Sequence, residues 1–176
     1  MFAAVVGVGV RPSAAQDAGA LEYKVKAGYV FNFAKFIEWP ASAFASPAAP
    51  LVVAVLDDSA VLPTLQQVLQ GKSVNGRPIE VKAVSSVAAA AGAQILVVTR
   101  ATKLEPSSIR QQLGRSATLM VGEVEGFAEN GGTIGFVKDG ENLRFQLNLD
   151  VADAAGLKVS SKLSSVARVV HSRDKK

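Results

Sequence analysis

Between Tyr23 and Trp39 apolar side chains return at helical spacing. Val25, Tyr29, Val30, Phe33 and Ile37 share one face, and Lys24, Asn32, Lys35 and Glu38 lie opposite. The pattern predicts a helix that ends near Trp39, because Pro40 cannot continue it and restricts the residue before it. Six of the chain's eleven aromatics fall in this stretch. A helix packed on a sheet uses most of them in the core. Phe31, Phe36 and Trp39 are the candidates for an outer face that meets a partner.

Further along, the pattern changes from helical to strand-like and back. Leu51 to Leu56, Ile95 to Thr99 and Ala117 to Val121 are unbroken apolar runs, as expected of strands covered on both faces. Between them, Val61 to Gln70 reads as a helix closed by Gly71, and Pro106 to Leu113 as a helix opened by proline and closed by Gly114. Ser73-Val74 and Pro78 to Val84 flank Asn75-Gly76, a hairpin turn signal. Thr133 to Val137 and Leu143 to Leu149 flank another, Asp139-Gly140. In the second of these strands Leu143, Phe145, Leu147 and Leu149 alternate with Arg144, Gln146 and Asn148, which predicts one face on the core and one in water. Asp150 is placed to cap a short helix ended by Gly156, and a last helix is expected from Ser161 to Val170 behind Ser160. Helices alternating with apolar strands, then a terminal antiparallel hairpin, predict a single-domain α/β sandwich with a mixed sheet.

The N-terminus stands apart. Phe2 to Val10 is apolar, Arg11-Pro12 breaks the run, and Ser13-Ala14-Ala15 offers small residues where a signal peptidase reads, so cleavage is expected before Gln16. Nine helical residues span roughly 14 Å, against about 30 Å for a bilayer core, so the run does not read as a membrane anchor. It lacks a preceding Lys or Arg: either the start lies upstream of Met1, or this is a plain apolar N-terminus. The expected organisation is a signal peptide over 1–15, a tether over 16–22, the α/β domain over 23–170 and a basic tail over 171–176.

Composition narrows the chemistry. With 49% hydrophobic and 19% charged residues, 176 residues support one sizeable core. The net charge of +4 lies partly in the tail, and no basic stripe with interleaved aromatics suggests nucleic acid. There is no cysteine, hence no disulfide, thiolate metal site or cysteine nucleophile. The one histidine, His171, sits in the tail, which removes Ser-His-Asp and multi-histidine arrangements. Gly71-Lys72-Ser73 lacks the earlier glycine of a phosphate loop, since Gln66 stands there. No cofactor is implied. Asp57-Asp58 at a strand end would suit Mg²⁺ in the manner of a phosphorylation receiver, but that pocket needs an aspartate where this chain has Thr99-Arg100. The pair therefore reads as a cap or turn. Glu123, Glu125 and Glu129 read as solvated loop acids, with paired-carboxylate catalysis as the alternative.

Three blocks, VKAGYVFNFAKFIEWP, VNGRPIEV and VEGFAENGGTIGFVKDGENLRFQLNLDVADAAGLKVSSKL, together resemble the YfiR-like family of periplasmic proteins over about residues 22 to 170. The resemblance implies an α/β fold and a regulator that represses a membrane-bound diguanylate cyclase by binding its periplasmic sensor domain. It also implies an outer-membrane lipoprotein able to sequester the repressor, raising cyclic di-GMP and biofilm formation. Well-known members carry disulfides linked to a redox response, which this cysteine-free chain does not share. Many members lie beside histidine kinases or other receptors, which leaves the partner open.

Three functions follow as expectations. The first is a non-enzymatic periplasmic regulator binding an inner-membrane diguanylate cyclase or other receptor, with Phe36, Trp39, Arg144 and Arg168 as contact residues. Aromatics and arginines are the side chains that dominate interfaces. The second is a small-molecule sensor acting on a histidine kinase or other receptor, with Trp39 and Arg168 lining a pocket. The third is a metal-assisted hydrolase at Asp57 and Asp58. The wet faces of the last strand and helix would present Arg144, Gln146, Lys162 and Arg168, and that strand face suits a homodimer as well as a receptor.

Overall fold

In the computed structural model, residues 14–57 and 60–172 are described. A long helix, α1 (Ala14–Phe36), leads into a two-residue strand, β1 (Ile37–Glu38). Then follow β2 (Leu51–Leu56), α2 (Leu62–Leu69), β3 (Ser73–Val74), β4 (Arg77–Val84), β5 (Ile95–Val98), α3 (Pro106–Leu113) and β6 (Leu119–Gly122). The chain closes with β7 (Ile134–Asp139), β8 (Asn142–Asn148), α4 (Leu149–Ala154), β9 (Lys158–Val159), α5 (Ser161–Ser164) and β10 (Arg168–Val170). The expected α/β sandwich with a mixed sheet is what the chain forms.

The main sheet runs β10-β8-β7-β6-β5-β2-β4-β3. Five neighbours, β4, β2, β5, β6 and β7, are mutually parallel; β8 pairs antiparallel with β7, and β3 with β4. Strands β2, β5 and β6 lie at the centre of this array and are almost wholly buried, which is why their sequences are apolar without alternation. One face carries α1 and α2 over Val53, Val55, Ile95, Leu119, Val121 and Leu147. The other carries α3 and the 87–93 turn over Ala54, Leu96, Val98 and Met120.

Helix α1 supplies the largest share of the first core. Ala27, Val30, Phe33 and Ala34 are buried along it. Tyr29 and Phe33 meet Phe136 and Phe145 of the β7–β8 hairpin at centroid distances of 5.0–5.9 Å, and the Tyr29 hydroxyl donates to Leu143 O at 3.1 Å. Such tilted and edge-on aromatic contacts add about 0.5–1.5 kcal/mol each beyond burial.

Several local expectations give way to tertiary pairing. The expected tether, residues 16–22, is helical, since no proline interrupts α1 there. The helix stops at Phe36 rather than near Trp39, because Ile37 and Glu38 pair with Val159 and Lys158. Val25, expected on the buried face, is 44% exposed, whereas Lys26 beside it is 5% exposed. The cap of α4 is Asn148, whose Oδ1 accepts from Val151 N at 3.1 Å, not Asp150. Asp150 meets His171 instead, Oδ2 to Nδ1, at 2.8 Å.

The expected last helix is one turn, Ser161–Ser164, after which β-branched Val169 and Val170 continue as strand β10, parallel to β8. The polar face of β8 is also not uniformly wet. Gln146 and Asn148 are buried because the 123–133 segment covers them. Glu129 accepts from Gln146 Nε2 at 3.1 Å and Ala128 O from Asn148 Nδ2 at 2.8 Å. The expected signal segment lies largely outside the described residues, and among those described no helix is long and apolar enough to cross a membrane.

The covering segment sits close to the sheet because two neighbouring strand positions carry no side chain. Gly122 and Gly135 are paired across β6 and β7, and the Phe127 ring occupies the space above Gly122. A Cβ on Gly122 would lie 2.3 Å from that fully buried ring. Gly122→Ala is therefore expected to cost about 1–3 kcal/mol in denaturant unfolding, as overpacking does. Gly28, inside α1 with open space around its Cα, provides the contrast. Gly28→Ala is expected to stabilise by about 0.5–1 kcal/mol. Equal effects at both sites would contradict this account.

Candidate functional site

The carboxyl ends of the parallel strands in a doubly wound sheet are where side chains from several strands converge. Here Arg100 follows β5, Glu123 follows β6 and Lys138 lies at the end of β7, and Glu22 and Lys26 of α1 reach across to them. Together they border an open cleft of about 670 Å³, whose far wall includes Glu129, Gln146 and Arg168.

The floor of the cleft is a buried ionic cluster. Lys26 Nζ is bound between two carboxylates, Glu22 Oε1 at 2.6 Å and Glu123 Oε2, with the Lys26 and Glu123 side chains 7% and 4% exposed. Glu123 Oε1 accepts from the Tyr23 hydroxyl at 2.7 Å and from Arg100 N at 3.0 Å. Lys26 Nζ also lies 4.7 Å from the Tyr23 ring centre. Thus each Glu123 oxygen has a donor, and the carboxylate is committed to holding α1 against the ends of β5 and β6. Glu22 extends the cluster outward, to Lys138 Nζ at 3.1 Å and Arg100 Nη2 at 3.8 Å.

This overturns the expectation that Glu123 belongs to a loop of solvated acids. Glu125 is exposed and Glu129 half-buried, but Glu123 is inside. Sequence reading missed Lys26 and Glu22. The signal was present: Glu22 and Lys26 are four residues apart on a helix, the spacing of an ion pair.

The expected contact residues fall at two ends of the molecule. Arg168 borders the cleft, and exposed Arg144 lies two residues before Gln146 on β8, with Nε 3.6 Å from Asp139 Oδ2. Phe36 and Trp39 lie at the other end of α1, ten residues or more beyond Lys26, roughly 15 Å along the helix axis. There Trp39 Nε1 donates to Gln94 O at 3.2 Å, and both rings pack against the core. Gln94 itself bridges Val52 N, Ala43 O and Gly92 O, so Trp39 closes a tightly bonded end of the sheet. Trp39 and Arg168 do not share a pocket.

Asp57 adopts a left-handed turn with φ 56°, and its N–H donates to Val84 O at 3.0 Å. Asp58 lies outside the described residues. No group of three or more histidine, aspartate or glutamate side chains able to hold a metal ion occurs among the described residues.

A sequence profile of the YfiR/HmsC-like family matches residues 23–168, from Tyr23 on α1 to the arginine of β10. The chain belongs to the YfiR/HmsC-like family. No curated protein matches it. YfiR/HmsC-like proteins are a periplasmic, regulatory rather than catalytic family that acts by protein–protein contact with a membrane signalling partner. In this YfiR/HmsC-like chain the matched span begins at Tyr23 and ends at Arg168, so every residue lining the cleft except Glu22 falls inside it.

The cluster makes two measurable demands. Removing Lys26 alone leaves the Glu123 charge buried without its ammonium partner, so Lys26→Met is expected to cost about 3–5 kcal/mol. The Lys26→Met, Glu123→Leu double variant should recover most of that loss in urea unfolding. Glu22, whose Lys26 and Lys138 contacts outweigh its partial burial, is lowered from 4.5 to about 2. Because the folded value is depressed, its stabilisation is full above the unfolded value near 4.5 and is lost as pH falls toward 2. Glu22→Gln should flatten the melting temperature across that window and leave its slope above pH 5 unchanged.

Proposed function

We propose that this chain represses or modulates a membrane-bound diguanylate cyclase by binding the cyclase's periplasmic sensor domain, without catalysing a reaction itself. Membership of the YfiR/HmsC-like family over residues 23–168 carries this reading. The ionic cluster agrees with it: Lys26 and Glu123 are used in holding α1 to the sheet, which suits a rigid recognition body.

Of the two candidate contact regions, the arginine end is the better supported. Arg144 is exposed and Arg168 stands on an edge strand, so both are available to acidic groups of a partner. Phe36 and Trp39 are half-buried and engaged with the core. An outer-membrane lipoprotein that sequesters the regulator, and a homodimer formed through the exposed part of the Leu143 to Leu149 strand face, belong to the same proposal. The second reading, a small-molecule sensor acting on a histidine kinase or other receptor, is favoured by one observation, the polar cleft beside Arg168.

The deciding experiment combines genetics with capture. Deleting the gene should change intracellular cyclic di-GMP in the host, and the tagged chain should recover a membrane cyclase with a periplasmic domain. Arg144→Ala with Arg168→Ala is expected to cut that recovery at least about fivefold while preserving the melting temperature. Unchanged cyclic di-GMP in the deletion strain would remove the cyclase reading, and recovery of a kinase instead would favour the sensor.

A further inference from the structure

Gln146 carries the one buried side-chain polar atom without a hydrogen-bond partner among the described residues, its amide oxygen Oε1. The residue is 5% exposed and borders the cleft. Its orientation is fixed by chemistry: Nε2 donates to Glu129 Oε1 at 3.1 Å, and turning the amide over would set oxygen against carboxylate. An acceptor left unpaired in this way costs the full desolvation of the group, so a donor that reaches it gains more than at an exposed acceptor.

The neighbouring strand supplies the complementary half. Arg168 is in register with Gln146 across the parallel β10–β8 pair, so the two side chains leave the same face about 4.8 Å apart. Among the described residues Arg168 makes no ion pair, whereas Arg100, Lys138 and Lys26 share Glu22. An unengaged guanidinium beside an unengaged acceptor matches an anion with a hydrogen-bond donor a few ångströms from its charge. The cleft's roughly 670 Å³ lies within the ordinary size of small-molecule sites.

We propose that Gln146 and Arg168 bind a small organic carboxylate bearing a hydroxyl or amino donor on the carbon next to the carboxyl group. Arg168 pairs with the carboxylate, and the donor reaches Gln146 Oε1. Since that oxygen is closed to solvent in the free chain, under the 123–133 segment, binding includes a local shift of that cover. The proposal needs no partner protein and so stands or fails separately from the cyclase reading.

Propionate, lactate and alanine share a carbon skeleton and differ in this donor alone, which makes them the probes. Titrated to 50 mM into the ¹⁵N-labelled full chain, lactate or alanine should shift the Gln146 side-chain amide and the backbone signals of Gly126 and Arg168. Its Kd should be at least about fivefold below that of propionate. Whether lactate or alanine binds tighter distinguishes a hydroxyl from an ammonium. Gln146→Leu should bring the preferred probe within about twofold of propionate, and Arg168→Ala should weaken every probe about two- to fivefold. Equal affinities for all three, shifts confined to other regions, or no shift at 50 mM would overturn the proposal; the last means that water or Arg168 itself satisfies Oε1. Should Gln146→Leu fail to fold, the three-probe comparison on the unaltered chain and on the exposed Arg168→Ala variant still decides.

Discussion

An ammonium taken out of water is costly unless a carboxylate pairs with it, and in this fold the pairing of Lys26 with Glu123 positions α1. Lys26 is on the buried side of the helix, where Val25 alone would have suited the apolar pattern. Its partner Glu123 comes from the end of β6, nearly one hundred residues away in sequence. The contact therefore joins the N-terminal helix to the middle of the sheet at one specific register. Sliding α1 by one turn would bury two charges apart, at a cost of several kcal/mol per ion. The aromatic contacts of Tyr29 and Phe33 with the β7–β8 hairpin, a turn or two further along, then fall into place as a consequence of that register.

What the chain's pattern made legible follows from how local each determinant is. Strands β2, β5 and β6 announce themselves because burial on both faces leaves no position for a polar residue. Helix α3 was readable to the residue, because Pro106 opens it and Gly114, with φ 58°, closes it. The errors share a cause in partners distant along the chain. Ile37 and Glu38 continue a helical pattern but are drawn off by Lys158 and Val159. Val169 and Val170 extend a helical periodicity, yet β8 offers them a ladder. Gln146 and Asn148 alternate as wet positions do, yet the 123–133 segment lies over them.

The cleft was the least legible part for the same reason. It is assembled from α1, the ends of β5, β6 and β7, and β8 with β10, so no window of sequence contains it. Arg168 was singled out as an interface side chain on residue type alone, and the fold gives it a neighbour, Gln146, that residue type would have dismissed as solvated. Conversely, Trp39 stood out by composition, and the fold engages it with Gln94. Unusual residue types mark positions of high energetic stake. The surrounding contacts decide whether that stake is structural or available to another molecule.

Strand β10 is three residues long, lies at an edge of the sheet and is supported by β8 on one side. Short edge elements open at a small fraction of the free energy needed to unfold the centre. Where β10 detaches, its arginine leaves with it, and the guanidinium is then no longer held beside Gln146. Anything that recognises Arg168 meets an apparent affinity scaled by the docked fraction. The last few residues of the domain thus set what share of molecules presents Arg168, and a substitution that loosens β10 weakens the apparent binding of anything that recognises that side chain.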